Sequence, residues 1–469
     1  MKIVPDGFDA KIDAYIDENW DACLADITSL VEIPSFEETD KAAPGAPFGP
    51  GPRAALTQAL SIAERMGFDT TDVDGYAGFA QLPGASDTQI GIIGHVDVVP
   101  AGPGWTFPPF QVTEKDGYLM GRGTLDDKGP LMVCLYALKF WKDQGVQLPY
   151  TVRYIFGANE ETDLLDVEHY RKAYDDPAFI FTPDAYFPVC YGEKGGFNGV
   201  ITSALITDGL IVEFTGGAAT NAVPGEASAL VRANVAGLPA AEGITLTEEG
   251  TDTVRISAQG KSAHASMPED GKNAIGMIVD YLLANDLCSA DERVFLELDQ
   301  KLLSNTDGSG VGIQASDEYF GPLTVIGGTI ELKEQRFVQT LDARFPTTTD
   351  GDRILAQLRA VAEPAGATVE NTLLLPTFLV DPKSPEIVAL CEAFNQVTGR
   401  DDEPFTIGGG TYAREFTRGS SFGAEMPWIK NPDWVGGMHG PDEGESIDQL
   451  KTSWKIYALG IGKLLELDL

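Results

Sequence analysis

An α/β sheet layered between helices, interrupted by a second domain of α+β texture, is the fold class this 469-residue chain predicts. Strand-like and helix-like segments alternate along the N-terminal part, a strand-rich texture holds from about residue 198 to 382, and helical periodicity then returns. The simplest organisation is one α/β domain made of residues 1–197 and 383–469, with 198–382 inserted into it. A chain of this length has ample material for two cores.

The elements follow in order. Residues 55–67 place apolar side chains at helical spacing, and the apolar run 89–93 reads as a buried strand. Residues 130–143 read as a long apolar helix that opens on Pro130, a favoured early position, and 150–157 read as a strand. A short apolar run, Phe179 to Phe181, precedes Thr182-Pro183-Asp184. In the insert, segments 200–205, 210–214, 227–233, 253–258, 323–330 and 337–343 read as strands, with helices near 272–285 and 351–362. Segment 385–398 is helical again, and Gly-rich turns at 407–410 and 436–440 lead to a terminal helix near 447–466.

Composition narrows the function. With 33 basic against 71 acidic residues the net charge is −38, which repels nucleic-acid phosphates and anionic membranes. The five cysteines, Cys23, Cys134, Cys190, Cys288 and Cys391, form no CxxC pair, so neither a disulfide framework nor a thiolate metal site is indicated. The start, MKIVPDGFDAKID, lacks the basic-then-apolar layout of a signal peptide, and no run approaches the roughly 20 apolar residues of a membrane span. These features predict a cytoplasmic protein with no nucleic-acid or membrane partner.

Ligands of open α/β sheets gather beyond the carboxyl ends of the strands. His95 and Asp97 follow one apolar run, Glu160 and Glu161 a second, and Asp184 a third, so one sheet edge is expected to collect them. Histidine is scarce: besides His95 there are only His169, His264 and His439. His169, in DVEHYRK, has an ordinary helical context and reads as structural, whereas His264 lies in SAHAS and His439 in GGMHGPDE. Asp126 and Asp127, in GRGTLDDKGP, are more acid than a helix cap requires. At the strand end, neighbours Glu160 and Glu161 point in different directions, so one can bind metal while the other serves as a base. Imidazoles and carboxylates without thiolate suit Zn²⁺, Mn²⁺ or Co²⁺.

GHVDVVP, GRGTLDDKGP, NEET, TPDAYFP, SAHAS and MHGPDE occur in the order found in the di-zinc aminoacylase/carboxypeptidase/dipeptidase metallopeptidases, which the chain resembles over nearly its whole length. GEKGG and GGGTYAR resemble more particularly the bacterial Xaa-dipeptidases of the PepV type, relatives of carnosinase. The resemblance implies a zinc-peptidase-like mixed sheet flanked by helices, an inserted α+β lid domain and two Zn²⁺ per subunit. Asp126 would bridge the metals, His95 and Asp184 would complete one, and Glu161 and His439 the other. It further implies Asp97 as the residue orienting His95, Glu160 as general base, and a cis peptide between Asp126 and Asp127. His264 would donate to the oxyanion; Arg344, Asn221 and the Gly408-Gly409-Gly410-Thr411 loop would hold the substrate. Asp184, where carboxypeptidase relatives tend to carry Glu, tilts the expectation toward dipeptides with a free amino terminus. An N-acyl amino-acid deacylase on the same scaffold is the alternative, and a catalytically silent peptide-binding protein is the alternative from another class. The long insert implies a lid histidine supplied in cis and hence a monomer, although long-lid relatives include homodimers. The chain departs from the usual pattern at Asn159, where an acid often precedes the Glu pair, and at Asp163, where Gly is common.

Overall fold

The computed structural model describes residues 2–469, which separate into two compact units. The first unit comprises the chain up to Gly192, Leu379–Phe405 and Gly410–Leu469; the second comprises Glu193–Phe378 and Thr406–Gly409.

The first unit is built on a mixed sheet. Its strands Asp69–Val73, Ala77–Leu82 and Tyr150–Gly157 pair antiparallel in that order. Tyr150–Gly157, Ser86–His95, Phe179–Thr182 and Gly419–Ser421 then run parallel. Helices cover both faces. Helix Pro50–Arg65 lies over Gly78 through Leu60, and helix Lys128–Asp143 lies on the same face, where Tyr154 Oη donates to the Leu131 carbonyl at 2.7 Å. On the other face Phe79, Ile93 and Ile155 pack with Val167 and Tyr170 of helix Leu165–Ala173 and with Tyr412 and Phe416. The outer helices Phe8–Val31 and Ile447–Leu464 also pack on Lys128–Asp143. There Trp141 Nε1 donates to the Ala458 carbonyl at 2.8 Å.

In the second unit an antiparallel sheet is ordered Ile244–Glu248, Val254–Gln259, Glu226–Val231, Ile211–Gly216, Thr324–Lys333, Arg336–Phe345, Gly195–Thr202, Thr368–Leu375. Helices Ala274–Ala284, Ala290–Leu303 and Gly351–Ala362 bury their apolar faces in the core of this unit. Asn273 caps the first by accepting from Ile275 and Gly276, and Ser289 with Glu292 forms a capping box on the second.

The mixed α/β fold agrees with the sequence expectation. The strand expected at 150–157 and the helices at 351–362 and 385–398 have those limits. The structure adds helices Phe8–Val31 and Ala290–Leu303 and the edge strands Asp69–Val73 and Thr368–Leu375. The Asp126–Asp127 peptide is cis, as the resemblance implies. All five cysteines are buried, and no helix of the described residues is long and apolar enough to cross a membrane.

Candidate metal centre

Three adjacent parallel strands end on one edge of the first sheet, and each delivers a polar group there. His95 closes Ser86–His95, Glu160 and Glu161 follow Tyr150–Gly157, and Asp184 follows Phe179–Thr182. Asp126 precedes Asp127, the N-cap of helix Lys128–Asp143, and His439 comes from the loop before Gly444–Ser446. Gly94 leaves room for the approach of the Asp126–Asp127 segment: a Cβ there would meet Asp127 Oδ2 at 2.6 Å.

Asp126 is shared between two imidazoles. Its Oδ1 lies 3.0 Å from His95 Nε2, and its Oδ2 lies 3.1 Å from His439 Nε2. Each imidazole has a second carboxylate: Asp184 Oδ2 at 3.7 Å from His95 Nε2, and Glu161 Oε2 at 2.9 Å from His439 Nε2. Donor atoms of His95, Glu160 and Asp184 fall within 4.8 Å of one another, as do those of His95, Asp126 and Glu161. His95 Nδ1 is turned toward Asp97, 3.0 Å from its backbone carbonyl and 3.5 Å from its carboxylate. The Asp97 carboxylate accepts from the Glu161 N–H at 3.1 Å, so this residue braces two strand ends together.

Electrostatics mark the cluster as built for cations. Burial opposes a charged His95, but the Asp126 and Asp97 hydrogen bonds outweigh it and hold the ring well above its ordinary range. Hydrogen bonds to Asp126 and then Glu161 push His439 up to about 10. Burial followed by the charge of Asp126 raises Asp184 to about 7, and burial followed by the charge of Asp184 raises Glu160 well above a normal carboxyl. Carboxylates at such spacing resist joint ionisation unless cations compensate them. The Asp126, Glu160, Glu161 and Asp184 charges together match those of two divalent ions. Glu161 Oε1 is moreover buried with no hydrogen-bond partner. A donor set of this composition fits zinc-type ions.

The second unit holds His264, Asn221 and Arg344. Strand pair Ala222–Val223 and Ala263–His264 brings the Asn221 carbonyl to the Ala265 N–H at 3.0 Å. The Ser266 N–H donates to His264 Nδ1 at 3.2 Å, which leaves the proton of a neutral ring on Nε2. Burial and then the Arg344 charge hold His264 below its ordinary pKa, keeping that neutral form at physiological pH. Arg344 grips Asp342 through Nε at 2.7 Å and Nη2 at 2.8 Å, so one edge of its fork is occupied and Nη1 stays on the other. The boundary between the units cuts the glycine loop between Gly409 and Gly410. The Thr411 hydroxyl lies 2.9 Å from Ser421 Oγ and accepts from the Ala413 N–H at 3.1 Å, capping the turn Tyr412–Glu415. His169 stacks on Tyr76, with centroids 4.0 Å apart, and meets Asp74 at 3.1 Å on the outside of the first unit.

Two anchoring acids, Asp166 and Glu443, were given no role in the sequence reading, although Glu443 closes MHGPDE. Asp166 is fully buried and accepts from the N–H groups of Ala158 and Asn159 at 2.7 and 3.0 Å, fixing the segment that presents Glu160. Tyr412 donates to the same carboxylate. Glu443, also fully buried, accepts from the Asp126 N–H at 3.2 Å.

Residues 91–462 match the family described as Peptidase family M20/M25/M40. The chain is 32% identical over 462 residues to the dipeptidase-named YtjP of Bacillus subtilis (strain 168), covering 94% of this chain and 96% of that one. It is 32% identical over 466 residues to Beta-Ala-Xaa dipeptidase of Lactobacillus delbrueckii subsp. lactis, covering 95% and 96%. Among solved structures, human carnosine dipeptidase 1 is similar in fold, with a TM-score of 0.58 at 17% identity over 98% of this chain and 100% of that one. Aminoacylhistidine dipeptidase from Vibrio alginolyticus gives 0.60 at 15% identity over 95% and 96%.

Proposed function

This chain belongs to peptidase family M20/M25/M40, and on that premise we propose a dipeptidase that works with two divalent cations, zinc by donor preference. The observation that carries the metal requirement is Asp126, one carboxylate oxygen turned to His95 and the other to His439. Asp126, His95 and Asp184 would hold one ion, and Asp126, His439 and Glu161 the other. When bound, such a pair makes water acidic enough to ionise near neutrality and polarises a carbonyl. Asp97 braces His95 and the Glu161 backbone, so both ligand sets keep their spacing.

Glu160 takes the proton of the attacking water and returns it to the leaving amine. Its burial raises its affinity for that proton, which suits a group that must both accept and release it. His264, with its proton on Nε2, is assigned as the donor to the oxyanion of the tetrahedral species. Arg344 is assigned to the substrate carboxylate through the edge that Asp342 leaves open. We assign Asn221 and the Gly409-Gly410-Thr411 loop to the same substrate. The reading takes dipeptides with a free amino terminus as substrate; relatives named as dipeptidases support the dipeptide, and Asp184 the free amino terminus. It places the protein in the cytoplasm and treats it as a monomer.

The decisive experiment is Glu160→Ala assayed on a dipeptide panel, with N-acetyl amino acids alongside. Turnover is expected to vanish while elemental analysis still finds two metal ions. Retained turnover removes Glu160 as the base, and a preference for N-acetyl substrates turns the reading to a deacylase.

A further inference from the structure

We infer that Glu443 is a positioning residue that locks the loop carrying Asp126 to the loop carrying His439, an inference that rests on the two-cation reading above. Its carboxylate is held from both sides. Oε1 accepts from the N–H groups of Gly123, Leu125 and Asp126 at 2.8, 3.1 and 3.2 Å. Oε2 takes the guanidinium of Arg122, whose Nη2 continues to the carbonyl of Gly440, next to His439, at 3.3 Å. Arg122 is itself 1% exposed and lies over the Trp105 ring, 5.2 Å from its centroid.

The amides of Gly123, Leu125 and Asp126 converge as backbone nests do on anions, and here the anion is a side chain of the same protein. On the other side, the loop from Gly436 to Glu443 holds two residues with a Cβ in the left-handed region, His439 at φ 61° and Asp442 at φ 55°. That conformation is disfavoured for such residues and persists only where contacts over-determine it. Those contacts are present: Gly436 N–H donates to the Asp442 carbonyl at 2.7 Å, and Thr106 and Phe107 N–H donate to the Asp442 carboxylate at 2.7 and 3.0 Å. Gly121 N–H donates to the Glu443 carbonyl at 2.9 Å, which ties the same residue to the Asp126 side through its backbone as well. The strand pair Tyr118–Met120 and Gly444–Ser446 brings the two loops side by side, and Glu443 fixes the spacing of Asp126 and His439 within them.

Glutamine at this position keeps the shape and one acceptor for the amides. It also turns an NH₂ toward Arg122, donor against donor, and leaves that buried cation unpaired. Both cation sites share Asp126, so both should weaken together.

The test titrates metal-free protein with Co²⁺ and follows its visible absorption, which reports affinity and ligand geometry independently of turnover. Wild type, Glu443→Gln, Arg122→Lys and Asp126→Ala are compared after circular dichroism shows them folded. Glu443→Gln is expected to bind Co²⁺ about 10- to 100-fold more weakly with an altered band shape. Saturating Co²⁺ should restore turnover at an unchanged KM. Arg122→Lys keeps the charge and loses the reach to Gly440, so it should shift affinity in the same direction by less. A folded Glu443→Gln with wild-type affinity and spectrum overturns the inference. Should Glu443→Gln not fold, wild-type affinity in Arg122→Lys overturns it. Weak binding by Asp126→Ala beside normal binding by Glu443→Gln sinks the positioning role alone, whereas normal binding by Asp126→Ala sinks the two-cation reading as well.

Discussion

Asp299 offers a quantitative test of how burial governs this fold. It sits on helix Ala290–Leu303, 1% exposed, and neither carboxylate oxygen has a hydrogen-bond partner among the described residues. Burial alone pushes its carboxyl from 3.8 up to about 8. The folded state therefore keeps a proton that the unfolded state releases near pH 4, and stability falls as pH rises between those values. Each pH unit in that window is worth about 1.4 kcal/mol, so the loss reaches about 4 kcal/mol at pH 7. Asp299→Asn has nearly the same volume and cannot ionise, so it should gain about that much over wild type at pH 7. At pH 4 the gain should disappear, because both proteins then bury a neutral polar group. The remaining buried acids are common to both proteins and cancel in the difference. Native-state hydrogen exchange of the amides in Ala290–Leu303, from pH 4 to 8, reads the unit that contains Asp299. Stability curves that stay parallel across this window would refute the argument.

Two further outcomes follow from the site and its supports. His439→Ala should lose metal content along with turnover, whereas His264→Ala should keep its metal and lose turnover about 10²–10³-fold; elemental analysis beside a dipeptide assay separates the two. Gly157→Ala should destabilise by about 1–3 kcal/mol in urea, because a Cβ there would collide with the Tyr412 hydroxyl and the Asp166 carboxylate. The same substitution should depress turnover through the displaced Glu160 segment, and unchanged turnover would show that Asp166 does not position it.

Most elements of the fold were readable because their cues are local. Strand Tyr150–Gly157 is a run of β-formers, and helix Gly351–Ala362 shows its apolar stripe at Ile354, Leu358 and Ala362 with Asp350 as its cap. Helix Phe8–Val31 also carries Phe8, Ile12, Ile16, Trp20 and Cys23 at helical spacing, but its exposed face is so rich in acids that the stripe is diluted. Strand Asp69–Val73 has no apolar alternation: it forms because the edge of Ala77–Leu82 is there to be paired.

Which groups reach the sheet edge is written in the order of apolar runs along the chain. Period and strand length place His95, Glu160, Glu161 and Asp184 beyond the carboxyl ends of their strands, and that follows from the chain's own local geometry. Which groups meet is a matter of long-range packing: Asp126 between two imidazoles, Asp97 on the Glu161 backbone, one edge of Arg344 taken by Asp342, and Glu443 inside the Asp126 loop. The Glu443 contact with Asp126 joins residues 317 apart in sequence. No periodicity encodes such a meeting, because it arises from the packing of whole layers rather than from the preferences of neighbouring residues.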